Sequence, residues 1–242
     1  MILVNQEPIN FTQFPELSGD TTVTTNVYSC GIWYIIELVL PYIPNARMDR
    51  VKSCDEVFTL KWFAEFVNSL NFCKVEILDP HSNVATALID RIYVREPADN
   101  IRLAIECVQA DTENDDILMC YPDEGAAKRY SDLMGREYVF GIKHRDWRTG
   151  RIEGFELVNS EKVMGRNVLI ADDICSRGGT FTHTARALKE AGAKDIYLYV
   201  SHCENAIFDG LVLTDGLIRH VFTTDSIYRG EHENITVIRG KE

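Results

Sequence analysis

Asn167 to Thr180 reads NVLIADDICSRGGT: a short apolar run, two adjacent carboxylates, then a loop of small and hydroxylated residues ahead of the amphipathic segment FTHTARALKEAGA. Asp172 and Asp173 can accept hydrogen bonds from vicinal hydroxyls or, through water, hold a cation. Ser176, Gly178, Gly179 and Thr180 supply hydroxyls and bare backbone N–H groups where a helix starts, and the aligned peptide dipoles there favour an anion. A diol at one end and a phosphate at the other describe a ribose 5-phosphate. A solvated Asp-Asp turn or a tight Gly-Gly loop would explain either half by itself. The run as a whole points to a ligand, and it names the ligand without naming a reaction.

Other stretches could serve the same chemistry. In PNARMDR, Arg47 and Arg50 flank Asp49, an arrangement suited to clamping a polyphosphate while the acid keeps cations in register; an ion-paired surface loop is the plain alternative. Asp79-Pro80-His81 puts a histidine just past an apolar run, where it could ligate a metal, contact a phosphate or be merely structural. PDEGAAKRYSDLMG places Asp123 at a second such end, and acidic strand ends gathered on one sheet system suit Mg²⁺, which prefers a few carboxylates plus substrate oxygens. KHRDWRTGR concentrates Lys143, Arg145, Arg148 and Arg151 in an otherwise acidic chain. It reads as a solvated hairpin with its tip at Thr149-Gly150, or as a cationic flap that meets charge developing in phosphoryl transfer.

The elements that must hold these residues follow from hydrophobic periodicity. Strand patterns cover Trp33–Tyr42, Lys74–Leu78, Ile117–Tyr121, Tyr138–Ile142, Glu153–Val158, Val168–Ala171, Asp195–Ser201 and Ile218–Thr223, with the acid pair ending the Val168 strand. Helical spacing covers Phe58–Leu70, where Trp62, Phe63, Phe66, Val67 and Leu70 form an apolar stripe expected in the core, and a shorter piece near Val84–Arg91. The apolar stretch from Ile32 to Ile43 is expected to be a buried strand. Strands alternating with helices predict an α/β fold with largely parallel sheets and loops at the carboxyl edges. Polar segments at Arg95–Asn100 and Asp111–Asp116 mark the joint between two halves. Residues 1–30 offer only short β-like pieces.

The chain of 242 residues is 45% hydrophobic, enough for one large core or two modest ones. A formal charge of −12 argues against a nucleic-acid or anionic-membrane partner, either of which would be repelled at long range. No run reaches the roughly 18 apolar residues of a membrane span, and no secretory signal is visible at the N-terminus. The seven cysteines are scattered singly, without a CxxC, which fits a reducing cytoplasm and no structural zinc.

In order and rough spacing, ARMDR, DPH, PDEGAAKR, the KHRDWRTG flap and ADDICSRGGT resemble the motifs of ribose-phosphate diphosphokinases (PRPP synthetases), in a short form like those of bacteria and large phages. The resemblance covers about Leu40 to Ser226. It implies two phosphoribosyltransferase-like domains: 1–108, the shortened ATP side, and 109–242, the ribose 5-phosphate side. Asp172, Asp173, Ser176, Arg177, Gly178, Gly179 and Thr180 would then bind ribose 5-phosphate. Arg47, Asp49, Arg50 and His81 would face ATP, His81 and Asp123 would hold Mg²⁺, and Lys143 and Arg145 would be the catalytic flap residues. It also implies a homo-oligomer and transfer of the diphosphoryl group of ATP to the sugar C1 hydroxyl, giving PRPP and AMP. Phe14-Pro15-Glu16 with Gly19-Asp20 is a distorted version of the family's adenine loop, and a helical unit is missing before the strand that leads to the arginine loop. A phosphoribosyltransferase that consumes PRPP and a weak or inactive binding homologue are the competing expectations.

Overall fold

The computed structural model describes residues 2–7, 24–30, 33–51, 53–145 and 152–239, and the chain divides into two units, Met1–Pro97 and Ala98–Glu242. The architecture is α/β with mostly parallel sheets.

In the first unit β1 (Ile2–Glu7), β2 (Thr24–Cys30), β3 (Trp33–Val39), β4 (Lys74–Leu78) and β5 (Ile92–Arg95) form a sheet in that order. Parallel neighbours require a crossover of about a dozen residues or more, and the two parallel pairs have one each: α1 (Thr59–Ser69) leads from β3 to β4, and α2 (Asn83–Leu88) from β4 to β5. Only Gly31 and Ile32 separate β2 from β3. That is too short for a helix, so these strands pair antiparallel, as β1 and β2 do. The adenine-loop candidate, Phe14–Glu16 with Gly19 and Asp20, lies outside the described residues.

Two expectations for this unit are corrected. The α1 stripe is not all core: Leu60, Ala64 and Val67 form the buried face, while Trp62 is 66% exposed and Leu70 is exposed. The buried face is a narrower stripe, Leu60, Ala64 and Val67, at i, i+4 and i+7 spacing. In β3, Leu38 is buried but Ile35 and Ile36 are exposed, so the apolar run does not make a fully buried strand.

In the second unit β6 (Ile117–Tyr121), β7 (Tyr138–Arg145), β8 (Ile152–Val158), β9 (Asn167–Cys175), β10 (Ile196–Cys203), β11 (His220–Thr223) and β12 (Ile235–Val237) form a sheet ordered β12-β11-β10-β9-β6-β7-β8. Every pairing is parallel except the β7–β8 hairpin. Residues alternate between the faces of a strand, and the core divides accordingly. Leu118, Cys120, Val168, Ile170, Leu198 and Val200 pack on one side with Phe181, Ala185 and Leu188 of α5 (Gly179–Glu190). Met119, Tyr121, Leu169, Ala171, Tyr197 and Tyr199 pack on the other with α3 (Ala98–Thr112) and α4 (Glu124–Met134). Burial of both faces accounts for the continuous apolar runs of β6 and β10.

The polar segment read as a joint contains the start of α3, whose residues Ile101, Ala104, Ile105 and Val108 belong to this second core. The division therefore falls at Pro97, ahead of that helix, and position 108 lies within it. Among the described residues no helix is long and apolar enough to cross a membrane.

Candidate active site

The chain leaves β6 through α4 to β7 on one side, and leaves β9 through α5 to β10 on the other. β6 and β9 are neighbours, so the direction of winding reverses between them. In open α/β sheets such a reversal opens a crevice beyond the carboxyl ends of the strands. Asp123 follows β6, and Asp172 and Asp173 lie in β9, so these three acids stand on the two strands that flank the reversal.

The acid pair does not end the strand as expected. β9 continues to Cys175, because its pairing with β10 runs on through His202↔Ile174 and Cys203↔Cys175. The carboxylates are thereby fixed on regular backbone. Asp173 N–H donates to Asp172 Oδ1 at 3.0 Å, and the side chains are 13% and 4% exposed for Asp172 and Asp173. Burial, followed by the charge of Asp173, pushes the Asp172 carboxyl well above the usual carboxylate range; Asp123 adds to this and Arg129 opposes it.

Arg129 is the residue that sequence reading missed. From the second turn of α4, its Nη2 donates to Asp172 Oδ1 at 3.0 Å and to Asp173 Oδ1 at 2.9 Å. Burial disfavours the cation, but Tyr130, Asp173 and Asp172 outweigh that cost and its pKa is raised. The available signal was an arginine six residues after Asp123 in PDEGAAKR, on the same helical stretch as the acid; the partner across the sheet had no local signature.

Asp123 is the N-cap of α4: its side chain accepts from Ala126 N–H at 3.0 Å. Together with Gly135 in the left-handed conformation at the other end, this cap explains why PDEGAAKRYSDLMG folds as a helix here. Asp79, grouped with Asp123 and Asp172 in the sequence reading, instead follows β4 on the sheet of the first unit. It is buried, with φ of 42°, a conformation that aspartate tolerates better than most residues.

Beyond β9, Gly178 is left-handed (φ 73°) and caps α5, and Thr182 N–H donates to its carbonyl at 3.0 Å. A β-carbon at Gly178 would overlap Val212, so both backbone conformation and contact require glycine. Ser176 and Thr180 are partly exposed, and Arg177 and Gly179 are exposed. Cys175 beside the loop is fully buried; its hydrogen bond to Cys203, with burial, pushes the thiol well above its ordinary pKa, so it is no nucleophile.

Lys143 and Arg145 lie on β7 rather than in a loop, because the hairpin pairing continues through Lys143↔Phe155 and Arg145↔Ile152. The rest of the flap, including Arg148, the Thr149-Gly150 tip and Arg151, lies outside the described residues.

In the first unit, Arg50 Nε donates to Asp49 Oδ1 at 2.8 Å. Asp49 is buried and Arg50 exposed. Burial raises the Asp49 carboxyl, but hydrogen bonding from Arg50 and Ser82 and the charges of Arg50 and His81 hold it below its ordinary value. Asp49 therefore anchors Arg50, while Arg47 and Arg50 face solvent and His81 is partly exposed.

Residues 91–207 match the family described as phosphoribosyl transferase domain. Over 212 residues the chain is 29% identical to ribose-phosphate pyrophosphokinase 2 of Enterococcus faecalis, covering 84% of this chain and 62% of that one. Over 202 residues it is 30% identical to the ribose-phosphate pyrophosphokinase of Vibrio cholerae, covering 79% and 61%. Among solved structures, phosphoribosylpyrophosphate synthetase from Mycobacterium smegmatis matches with a TM-score of 0.66 over 83% of this chain and 65% of that one, at 21% identity, a likeness of fold. The chain thus spans about three-fifths of the length of these curated relatives. By these sequence relations the chain is similar over about four-fifths of its length to ribose-phosphate pyrophosphokinases (PRPP synthetases), and it shares their fold.

Proposed function

We propose that the chain transfers the diphosphoryl group of ATP to the C1 hydroxyl of ribose 5-phosphate, yielding PRPP and AMP. The observation that carries this reading is the convergence of Asp123, Asp172 and Asp173 on the reversal between β6 and β9, next to a left-handed glycine opening α5. Its relatives are named for the same chemistry.

In this reading Asp172 and Asp173 accept from the sugar hydroxyls. The hydroxyls and N–H groups of Ser176, Arg177, Gly178, Gly179 and Thr180 hold the 5-phosphate at the start of α5. Arg47 and Arg50 bind the nucleotide phosphates, with Asp49 fixing Arg50, and His81 serves the same nucleotide. Lys143 and Arg145 neutralise charge on the transferred group. Such transfer is mostly positioning and charge neutralisation, and it asks for no covalent nucleophile.

Among the described residues no group of three or more His, Cys, Asp and Glu side chains forms a metal cage. Mg²⁺ seldom needs one, since it binds through one or two carboxylates plus substrate phosphates and water, and Asp123 would supply such a carboxylate. When bound, Mg²⁺ would withdraw charge from the phosphoryl oxygens. Self-assembly into a homo-oligomer belongs to this proposal, and sedimentation of the purified chain tests it.

The deciding experiment incubates the purified chain with ATP, Mg²⁺ and ribose 5-phosphate and measures AMP and PRPP. Formation of both is expected. Sugar-phosphate binding without either product would instead favour a phosphate-binding homologue, and turnover of PRPP with a nucleobase would favour a transferase.

A further inference from the structure

We propose that Arg129 is the positioning residue of the sugar site: through a single guanidinium nitrogen it holds Asp172 and Asp173 together in the arrangement that receives the ribose hydroxyls. The inference rests on the proposed reading of the acid pair as the sugar site, and it assigns a role to a residue on a different element.

Adjacent residues of a regular strand direct their side chains to opposite faces. Asp172 and Asp173 are adjacent in β9, and left to that geometry their carboxylates would diverge. Both nevertheless place an Oδ1 within 3.0 Å of the same Nη2. The guanidinium is the common point that turns them toward one another, and the Asp173 N–H to Asp172 contact locks one side.

The guanidinium is delivered from a well-fixed base. α4 is capped at both ends. Ala126, Ala127 and Tyr130 bury its inner face, and Arg129 lies over the Tyr130 ring at 5.1 Å. The arginine side chain is itself only 26% exposed, so little freedom is left to it. Its two acceptors are each held by one oxygen, which fixes their orientation for a diol.

Simple charge compensation of two buried acids is the alternative role, and it predicts a different result. Compensation would lower stability on loss of Arg129 without changing the choice among sugars. Positioning makes the diol contact depend on Arg129, whereas the phosphate contact, made by the α5 loop, does not.

The test measures calorimetric affinities for ribose 5-phosphate and for 2-deoxyribose 5-phosphate, which keeps the phosphate and lacks one hydroxyl. The wild type is compared with Arg129→Met, Arg129→Gln and Arg129→Lys. A hydrogen bond to a charged group makes the wild-type preference for the ribose form about tenfold or more. In a folded Met or Gln variant that ratio is expected to fall toward one, with affinity for the deoxy sugar, which keeps one hydroxyl contact, falling less than affinity for ribose 5-phosphate. Lysine, whose ammonium can also donate to both oxygens, is expected to restore most of it. A neutral variant that folds and keeps the wild-type ratio, or a folded lysine variant that restores none of it, overturns the role of Arg129. A wild type that fails to discriminate between the sugars overturns the reading of the acid pair itself.

Discussion

Gly210 is seated against the backbone carbonyl of Arg177, so closely that a β-carbon there would overlap it. Its own backbone is in an extended conformation open to any residue (φ −104°, ψ −172°), so it is the contact that demands glycine. The segment after β10 thus braces the loop that leads to α5, and Val212 of the same segment fills the space beside Gly178. Gly210→Ala should displace the loop. Overpacking of this kind costs about 1–3 kcal/mol, and a shift near a bound group lowers affinity or rate by about tenfold or more. The expected outcome is a folded protein with weakened ribose 5-phosphate binding, read by calorimetry beside a thermal melt. Wild-type affinity in the alanine variant would remove the brace from the argument.

Lys143 tests the flap. If its ammonium meets charge that develops only during transfer, Lys143→Ala should lower kcat by about 10²-fold or more while ribose 5-phosphate binding changes little. Steady-state kinetics paired with equilibrium binding separate the two. Equal turnover in mutant and wild type would exclude the lysine from the chemistry.

Asp123 has two separable duties, capping α4 and serving Mg²⁺. Asparagine caps helices about as well as aspartate, whereas alanine loses about 1 kcal/mol. Asp123→Asn should therefore keep the melting temperature and raise the Mg²⁺ concentration needed for half-maximal turnover by about tenfold. Asp123→Ala should do both kinds of damage. An Asn variant with an unchanged Mg²⁺ requirement would leave only the cap.

Asp49 gives a pH dependence of known sign. Its carboxyl sits below its ordinary value in the folded chain, so its contribution to stability is complete above the unfolded pKa of about 3.9 and is lost as pH falls through the folded value. Asp49→Asn removes that contribution. Urea midpoints at neutral and acidic pH should differ less in the variant than in the wild type, and an equal or larger acid loss would contradict the assignment.

Much of this molecule was legible in its sequence because the relevant signals are local. Continuous apolar runs marked β6, β9 and β10, since strands buried on both faces admit little else. Spacing marked α1 and α5, and Asp172-Asp173 followed by Gly178-Gly179 marked a strand, an acid pair and a helix start within one stretch. The brevity of Gly31-Ile32 already forbade a crossover between β2 and β3. Tertiary structure decided what distant elements do to one another. Which part of the apolar stripe faces inward, Ala64 rather than Trp62, was set by the packing of α1, which periodicity does not encode. The length of β9 depended on β10 offering partners as far as Cys203. Arg129 met Asp172 and Asp173 because β6 and β9 became neighbours where the winding reverses, and Gly210 met Arg177 because the chain folds back after β10. Residue types and spacing fix what each short segment can do, while the charges and carbonyls that face it come from strands brought together only by the closing of the sheet.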